Sequence, residues 1–264
     1  MGSPKNPAQR RRPICGKLVH MCGRFARKST HDLLAEWFHL ELDQMPAFAP
    51  TFNAAPQSTQ PVIRTGRDSA APEVSLMRWG LVPRWAKDAK FGYSTINARA
   101  EEAATKPAYR EALKKRRCLI PADAFYEWQR SDPKHNHPFA IALASGSPCA
   151  FAGLWESWQP ADGPVLESFT ILTTDPNELM EPIHNRMPVI VGPRDYDRWL
   201  DPGDPVRPPI DLMRPYPAEQ MSAWPVSDRV GNVRNNDPEL LDSVSPHKAK
   251  PPAPKPGWQQ GSLW

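Results

Sequence analysis

The sequence predicts an α+β fold: a single domain around a curved, mostly antiparallel sheet or barrel, with a few helices. Three observations carry this. Short runs rich in β-branched and aromatic residues recur along the chain, separated by turn residues. Helical periodicity is confined to two stretches between them, an interspersed order that favours α+β over a strictly alternating parallel architecture. The 264 residues suffice for one large core or two small ones, and no internal repeat divides them.

Taken in order, residues 1–20 are basic and read as sequence that does not pack. The stretch STHDLLAEWFHL (29–40) opens on Ser29-Thr30, good N-cap residues, and then places Leu33, Leu34, Trp37 and Phe38 at helical spacing. RAEEAATKPAYREALKKR (99–116) is the second helical stretch, with Pro107 expected at a break or a new first turn. The strand runs are PVIR (61–64), VSLMRWGLV (74–82), RCLIPADAFYEWQ (117–129), PFAIAL (138–143), CAFAGLWESW (149–158), SFTILTT (168–174) and MPVIVG (187–192). Residues 243–257, SVSPHKAKPPAPKPG, read as an extended Pro/Lys linker. The expected organisation is therefore a leader (1–21), a folded domain (22–242) and a tail (243–264).

Composition narrows the function classes. No apolar run approaches the roughly 18 residues that span a membrane, and no apolar segment follows Arg10–Arg12 as in a secretory signal. Four cysteines (15, 22, 118, 149) without CxxC spacing indicate neither a disulfide framework nor a zinc site. A reducing cytoplasm is the expected compartment. His135-x-His137 lacks companion ligands and no glycine loop cradles phosphate, so no metal or cofactor is expected. The net charge of +4 resides in the ends: eight basic and no acidic residues lie before Cys22 and after Asp242, leaving 25 basic against 29 acidic in the body. Nucleic-acid binding by the body would need a local patch.

Four places carry candidate chemistry. Cys22 follows Met21 within KLVHMCGRF. As an amino terminus it would offer an amine (pKa about 7.7–8.0) and a thiol (about 8.5) on one residue, suited to capturing an aldehyde as an imine and closing a thiazolidine. As an internal residue it would be a buried, inert thiol. Asn97 and Arg99 precede a helix and can hold an intermediate and a phosphate, or simply form an ordinary helix entry. Glu127 is flanked by Phe125, Tyr126 and Trp128; desolvation there would raise its pKa for acid–base work, whereas on a solvent-facing strand it would be ordinary. His184 and Arg186 lie in a loop ahead of a strand, as a proton shuttle and its neighbour or as plain surface residues.

Six ordered motifs join these places: MCGRF (21–25), FNAAP (52–56), MRWGLVPRWAKD (77–88), INAR (96–99), IPADAFYEW (120–128) and IHNRMPVIV (183–191). Together, from Met21 to about Leu241, they resemble the SRAP family of abasic-site processing proteins, first named as SOS-response-associated peptidases. The resemblance implies a strongly curved, barrel-like sheet and a covalent link between Cys22 and the ring-opened abasic site in single-stranded DNA. It assigns Asn97 to holding the thiazolidine, Glu127 to acid–base chemistry, leader release and crosslink reversal, and His184 to opening the deoxyribose. Arg24, Arg99 and Arg186 match basic residues of the DNA groove, and Trp79 and Trp85 its aromatic segment, where stacking and phosphate contacts give sequence-independent binding. The run Lys114–Arg117 could add to this groove or be a solvated helix face. The implied partner is abasic single-stranded DNA, with a monomeric protein at the nucleoid, peptidase chemistry and a lyase outcome through the imine.

The departure from the pattern is the leader. While residues precede Cys22 its nitrogen is an amide and no thiazolidine forms. Either the true start is Met21, the favoured explanation, or the leader is cleaved using Cys22 and Glu127. At the other end, Gln260-Gly261-Ser262-Leu263-Trp264 looks like the short peptides that dock on bacterial sliding clamps; Gln260, Leu263 and Trp264 are its anchors, and an ordinary tail is the competing reading. Two further function classes stay open: a non-covalent single-strand-binding module with an inert Cys22, and a thiol peptidase built on Cys22, His184 and Asn97.

Overall fold

The computed structural model describes residues 22–66, 71–132, 135–203 and 206–245. The leader (1–21) and the clamp-like peptide with Gln260, Leu263 and Trp264 lie outside the described residues.

The chain begins with β1 (Phe25–Arg27) and α1 (His31–Phe38). Helix α1 starts at the expected place: Thr30 accepts a hydrogen bond from the Leu33 N–H, and His39 ends it in the left-handed region. Next come β2 (Thr51–Ala54), β3 (Thr59–Thr65), β4 (Pro72–Trp79) and β5 (Asn97–Arg99). The second helical stretch is two helices, α2 (Ala100–Ala103) and α3 (Arg110–Lys115), with Pro107 between them. There follow β6 (Arg117–Ala122), β7 (Ala124–Asp132), β8 (His135–Leu143), β9 (Cys149–Trp158) and β10 (Leu166–Thr174). The short strands β11 (Met187–Pro188) and β12 (Ile190–Val191), helix α4 (Tyr196–Leu200) and β13 (Met221–Pro225) complete the described chain.

Two sheets result. One runs β13-β8-β7-β1-β2 and is antiparallel throughout. In the other, β10 pairs with both β4 and β9, so that β4, β3, β6, β9 and β10 close into a ring. The ring is antiparallel apart from the β4–β10 contact, and β5 also runs parallel to β10. This is the predicted barrel-like α+β domain. Between ring and sheet lies an aromatic core containing Phe25, Trp79, Phe125, Phe151 and Phe169. A second core, with Leu34, Phe38, Leu113 and Trp199, lies under the helices.

The run 117–129, read as one strand, is two. It divides at Asp123, whose carboxylate accepts hydrogen bonds from the Ser29 N–H (2.9 Å) and hydroxyl (2.7 Å) while its own N–H donates to Ala26 O. That side-chain clamp turns the chain from the ring into the open sheet. Consequently β6 faces β9 while β7 faces β1 and carries Glu127 toward Cys22.

The ring closes tightly at Gly153. A Cβ there would lie 2.3 Å from Ile120 Cδ1, 2.9 Å from the Thr170 carbonyl oxygen and 3.1 Å from Cys118 Sγ. The backbone oxygen cannot retreat without opening the β9–β10 pairing. Gly153→Ala is therefore expected to lower the unfolding free energy by about 1–3 kcal/mol in denaturant titration; an unchanged midpoint would show that the ring has slack there.

Candidate active site

Cys22 lies just ahead of β1. The register Phe25↔Phe125 and Ala26↔Ala124, extended by the Tyr126 N–H donating to Arg24 O (3.0 Å), brings Glu127 alongside it. Strand alternation puts Glu127 on the same face as Phe125, which points into the aromatic core, whereas Ala124 and Tyr126 pack on the opposite face. Glu127 is therefore inside, only 2% exposed. Its Oε1 accepts a 2.7 Å hydrogen bond from the Cys22 nitrogen. Burial pushes the Glu127 pKa up, partly offset by nearby His184 and by hydrogen bonds from Cys22 and the Trp128 backbone. The Cys22 thiol is buried too. Its pKa is pushed well up by burial and by the Glu127 charge, with Arg186 pulling in the other direction.

Asn97 enters from β5, held against Ile171 of β10. Its side-chain amide donates to Cys22 O across a long 3.5 Å contact. His184 arrives on the loop before β11, where the Arg186 N–H donates to its Nδ1 at 3.2 Å. The same Nδ1 also lies 3.3 Å from the Arg186 carbonyl oxygen, so the Arg186 backbone holds the ring. Four residues from distant parts of the sequence thus meet around one nitrogen, one thiol and one carboxylate.

The basic and aromatic residues divide differently from expectation. Trp79 is a correction: it is fully buried, stacked with Phe169, and its indole N–H donates to Ile96 O at 2.8 Å. It is core and cannot stack on a base. Arg186 sits deeper than a groove residue would suggest. Its guanidinium is buried and committed to Glu101 (2.7 Å at both oxygens), Asp175 (2.7 Å) and Thr173 O (2.8 Å). It braces the His184 loop against α2. Arg24 is half-buried, donating to Asn53 Oδ1 (3.0 Å) and to the carbonyls of Val230 and Gly231, and burial lowers its pKa. Arg99 and Trp85 are exposed.

Four contributors carried no separate signal in the sequence. Asn53, within FNAAP, receives Arg24 and donates to the carbonyls of Val230, Asn232 and Asn235, fixing the loop beside β1. Tyr109 donates its hydroxyl to Asn97 O at 3.3 Å. Glu101 and Asp175 seat Arg186. Among the described residues no cluster of His, Cys, Asp and Glu is arranged to hold a metal ion.

A family model for the SOS response associated peptidase matches residues 21–233, and the chain belongs to that family. It is 44% identical over 226 residues to the abasic site processing protein YoqW of Bacillus subtilis, covering 84% of this chain and all of that one. It is 34% identical to the abasic site processing protein HMCES of Xenopus tropicalis, over 78% of this chain and 70% of that one. Among solved structures, a Bacteroides thetaiotaomicron protein superposes with a TM-score of 0.74 at 23% identity, covering 85% of this chain and 100% of that one, a likeness of fold. No helix among the described residues is long and apolar enough to cross a membrane.

Burying Glu127 has a measurable consequence. With its folded pKa raised, the folded state binds that proton more tightly than the unfolded state. Stability therefore falls as pH climbs from the ordinary glutamate range, about 4.3, through the raised folded value. Glu127→Gln keeps an acceptor for the Cys22 nitrogen and removes the charge. At about pH 7.5 it is expected to melt roughly 2–4 °C higher than the parent, the shift that about 1 kcal/mol gives in a chain of this size. The difference should close below about pH 4, and a gap independent of pH in thermal scans would contradict the buried-charge account.

Proposed function

We propose that the chain, with Cys22 as its amino terminus, captures abasic sites in single-stranded DNA as a covalent thiazolidine. The observation that carries this reading is the 2.7 Å contact between the Cys22 nitrogen and the buried Glu127 carboxylate, with the thiol of the same residue against the same carboxylate. The names of the relatives, abasic site processing proteins, support the substrate class.

The chemistry balances as follows. The Cys22 amine attacks the aldehyde carbon of the ring-opened deoxyribose, and loss of one water leaves an imine. The thiol sulfur then adds to the imine carbon, its proton ends on nitrogen, and the five-membered ring closes. Glu127 takes the proton from the attacking amine and later the one from the thiol, a shuttle suited to a carboxylate with raised pKa. Burial pushes the thiol pKa up, so a base beside it assists its attack. His184 delivers a ring-nitrogen proton to the deoxyribose ring oxygen as its bond to C1′ breaks and the C1′ hydroxyl loses its proton to water, which leaves the aldehyde. Asn97 holds the product by its amide. Proximity within one residue makes ring closure effectively unimolecular. Arg99 and Trp85 supply phosphate and base contacts outside the site.

The same groups give a peptidase that frees Cys22 from preceding residues. A lyase outcome follows when the imine eliminates before the thiol closes. Gln260, Leu263 and Trp264 would tether the domain to a sliding clamp, which deletion of residues 260–264 in a clamp pull-down tests.

Single-turnover incubation with abasic single-stranded DNA, read on denaturing gels, tests the main reading. Protein beginning at Cys22 is expected to give one shifted band. Cys22→Ala, or one added residue ahead of Cys22 in a Glu127→Gln background, should give none, and Glu127→Gln alone should slow the band by about 10²–10⁴-fold. Retained DNA binding without any adduct in the parent would instead establish a non-covalent single-strand-binding module.

A further inference from the structure

Among the described residues, only two Trp, Tyr or Phe rings are exposed, Trp85 (58%) and Tyr93 (62%), and both lie in the segment joining β4 to β5. Isolated exposed apolar side chains are ordinary; two large rings on one short, rigid segment are not.

The segment is pinned from beneath. Phe91 sets its ring edge against Trp85 at 5.1 Å and packs with Val82, Ala86 and Trp158. Residues Ala89–Ser94 form a 3-10 helix capped by Asp88, whose carboxylate accepts from the Lys90 N–H at 2.7 Å. At its centre Gly92 lies so close to Gly80 that a Cβ would come within 2.5 Å of the Gly80 oxygen. Gln57 donates to Gly92 O (3.1 Å) and Thr95 Oγ1 to Leu81 O (2.6 Å). The rings are thus displayed on a braced support and need little ordering on binding. The segment is also cationic: Arg84, Lys87 and Lys90 are exposed, while its one acid, Asp88, serves as the helix cap.

We infer that Tyr93 is a second base-stacking platform, paired with Trp85, which grips the single strand beside the captured site, with Lys90 on the adjoining phosphate. This rests on the single-strand reading above and extends it to a residue outside its motifs. Tyr93 is four residues from Asn97, so their Cα atoms are at most roughly 15 Å apart. A ring there meets DNA on the approach to Cys22. Every base has a π-face, so the grip is tolerant of sequence.

The test uses fluorescence anisotropy with an intact, labelled single-stranded oligonucleotide lacking any abasic site, so that binding is read without crosslinking. Tyr93→Ala is expected to weaken binding about 5- to 100-fold, the effect of losing one stacked base. Tyr93→Phe should stay within about twofold of the parent, because the ring does the work. Lys90→Ala should lower the salt slope of log K by about one phosphate contact. Tyr93→Ala binding as tightly as the parent overturns the inference. Intact DNA carries no aldehyde and forms no adduct with the parent, so failure of the covalent chemistry, read on abasic DNA, and failure of the platform, read here, are distinguished.

Discussion

Holding a carboxylate inside an aromatic core is the constraint on which the rest of this molecule depends. Glu127 reaches that position because β7 pairs with β1 in one register, and a slip by a single residue would exchange the faces of Glu127 and Tyr126. Burial without a partner would be costly for a charge. The partner is the nitrogen of Cys22, 2.7 Å away. Other devices follow from it: the Asp123 clamp that turns β6 into β7, the Arg24–Asn53 network that anchors the segment leading from Cys22 into β1, and the Arg186 brace that presents His184. Stability and function pull apart here, since the raised pKa that suits proton transfer also penalises the folded state at neutral pH.

Much of the fold was legible. The long runs 149–158 and 168–174 carry enough β-branched and aromatic residues to declare themselves, and they are the strands that close the ring. Strands β1, β2 and β5 have three or four residues each, too few for a period of two to register, yet β1 sets the place of Cys22 just ahead of it and β5 carries Asn97. Ring closure itself rests on β9 meeting β10 while β10 also meets β4, and such long-range pairings leave no local trace. The break at Asp123 was hidden because its cause, a hydrogen bond to Ser29, lies 94 residues away in sequence.

The site shows the same division. Cys22, Asn97, Glu127 and His184 converge, and their chemistry could be proposed from residue type before their positions were known. The outer residues were harder. Trp79 and Trp85 stand six residues apart in one motif, but Gly80 takes a positive φ of 128° and turns the chain, leaving one ring in the core and the other in solvent. An arginine's residue type does not say whether carboxylates are already waiting for it, and Arg186 is claimed by two. Tyr93 belonged to none of the quoted motifs, and only its exposure on a braced segment marks it out.

The most direct test of the central claim, that the nitrogen and sulfur of Cys22 both bond to the sugar carbon, is tandem mass spectrometry of the purified adduct after nuclease and protease digestion. A thiazolidine predicts an adduct mass equal to protein plus DNA less one water, mapped to Cys22, with its thiol refractory to alkylation and its amine to acylation. An adduct at another residue, or one at Cys22 whose thiol still alkylates, would contradict the account.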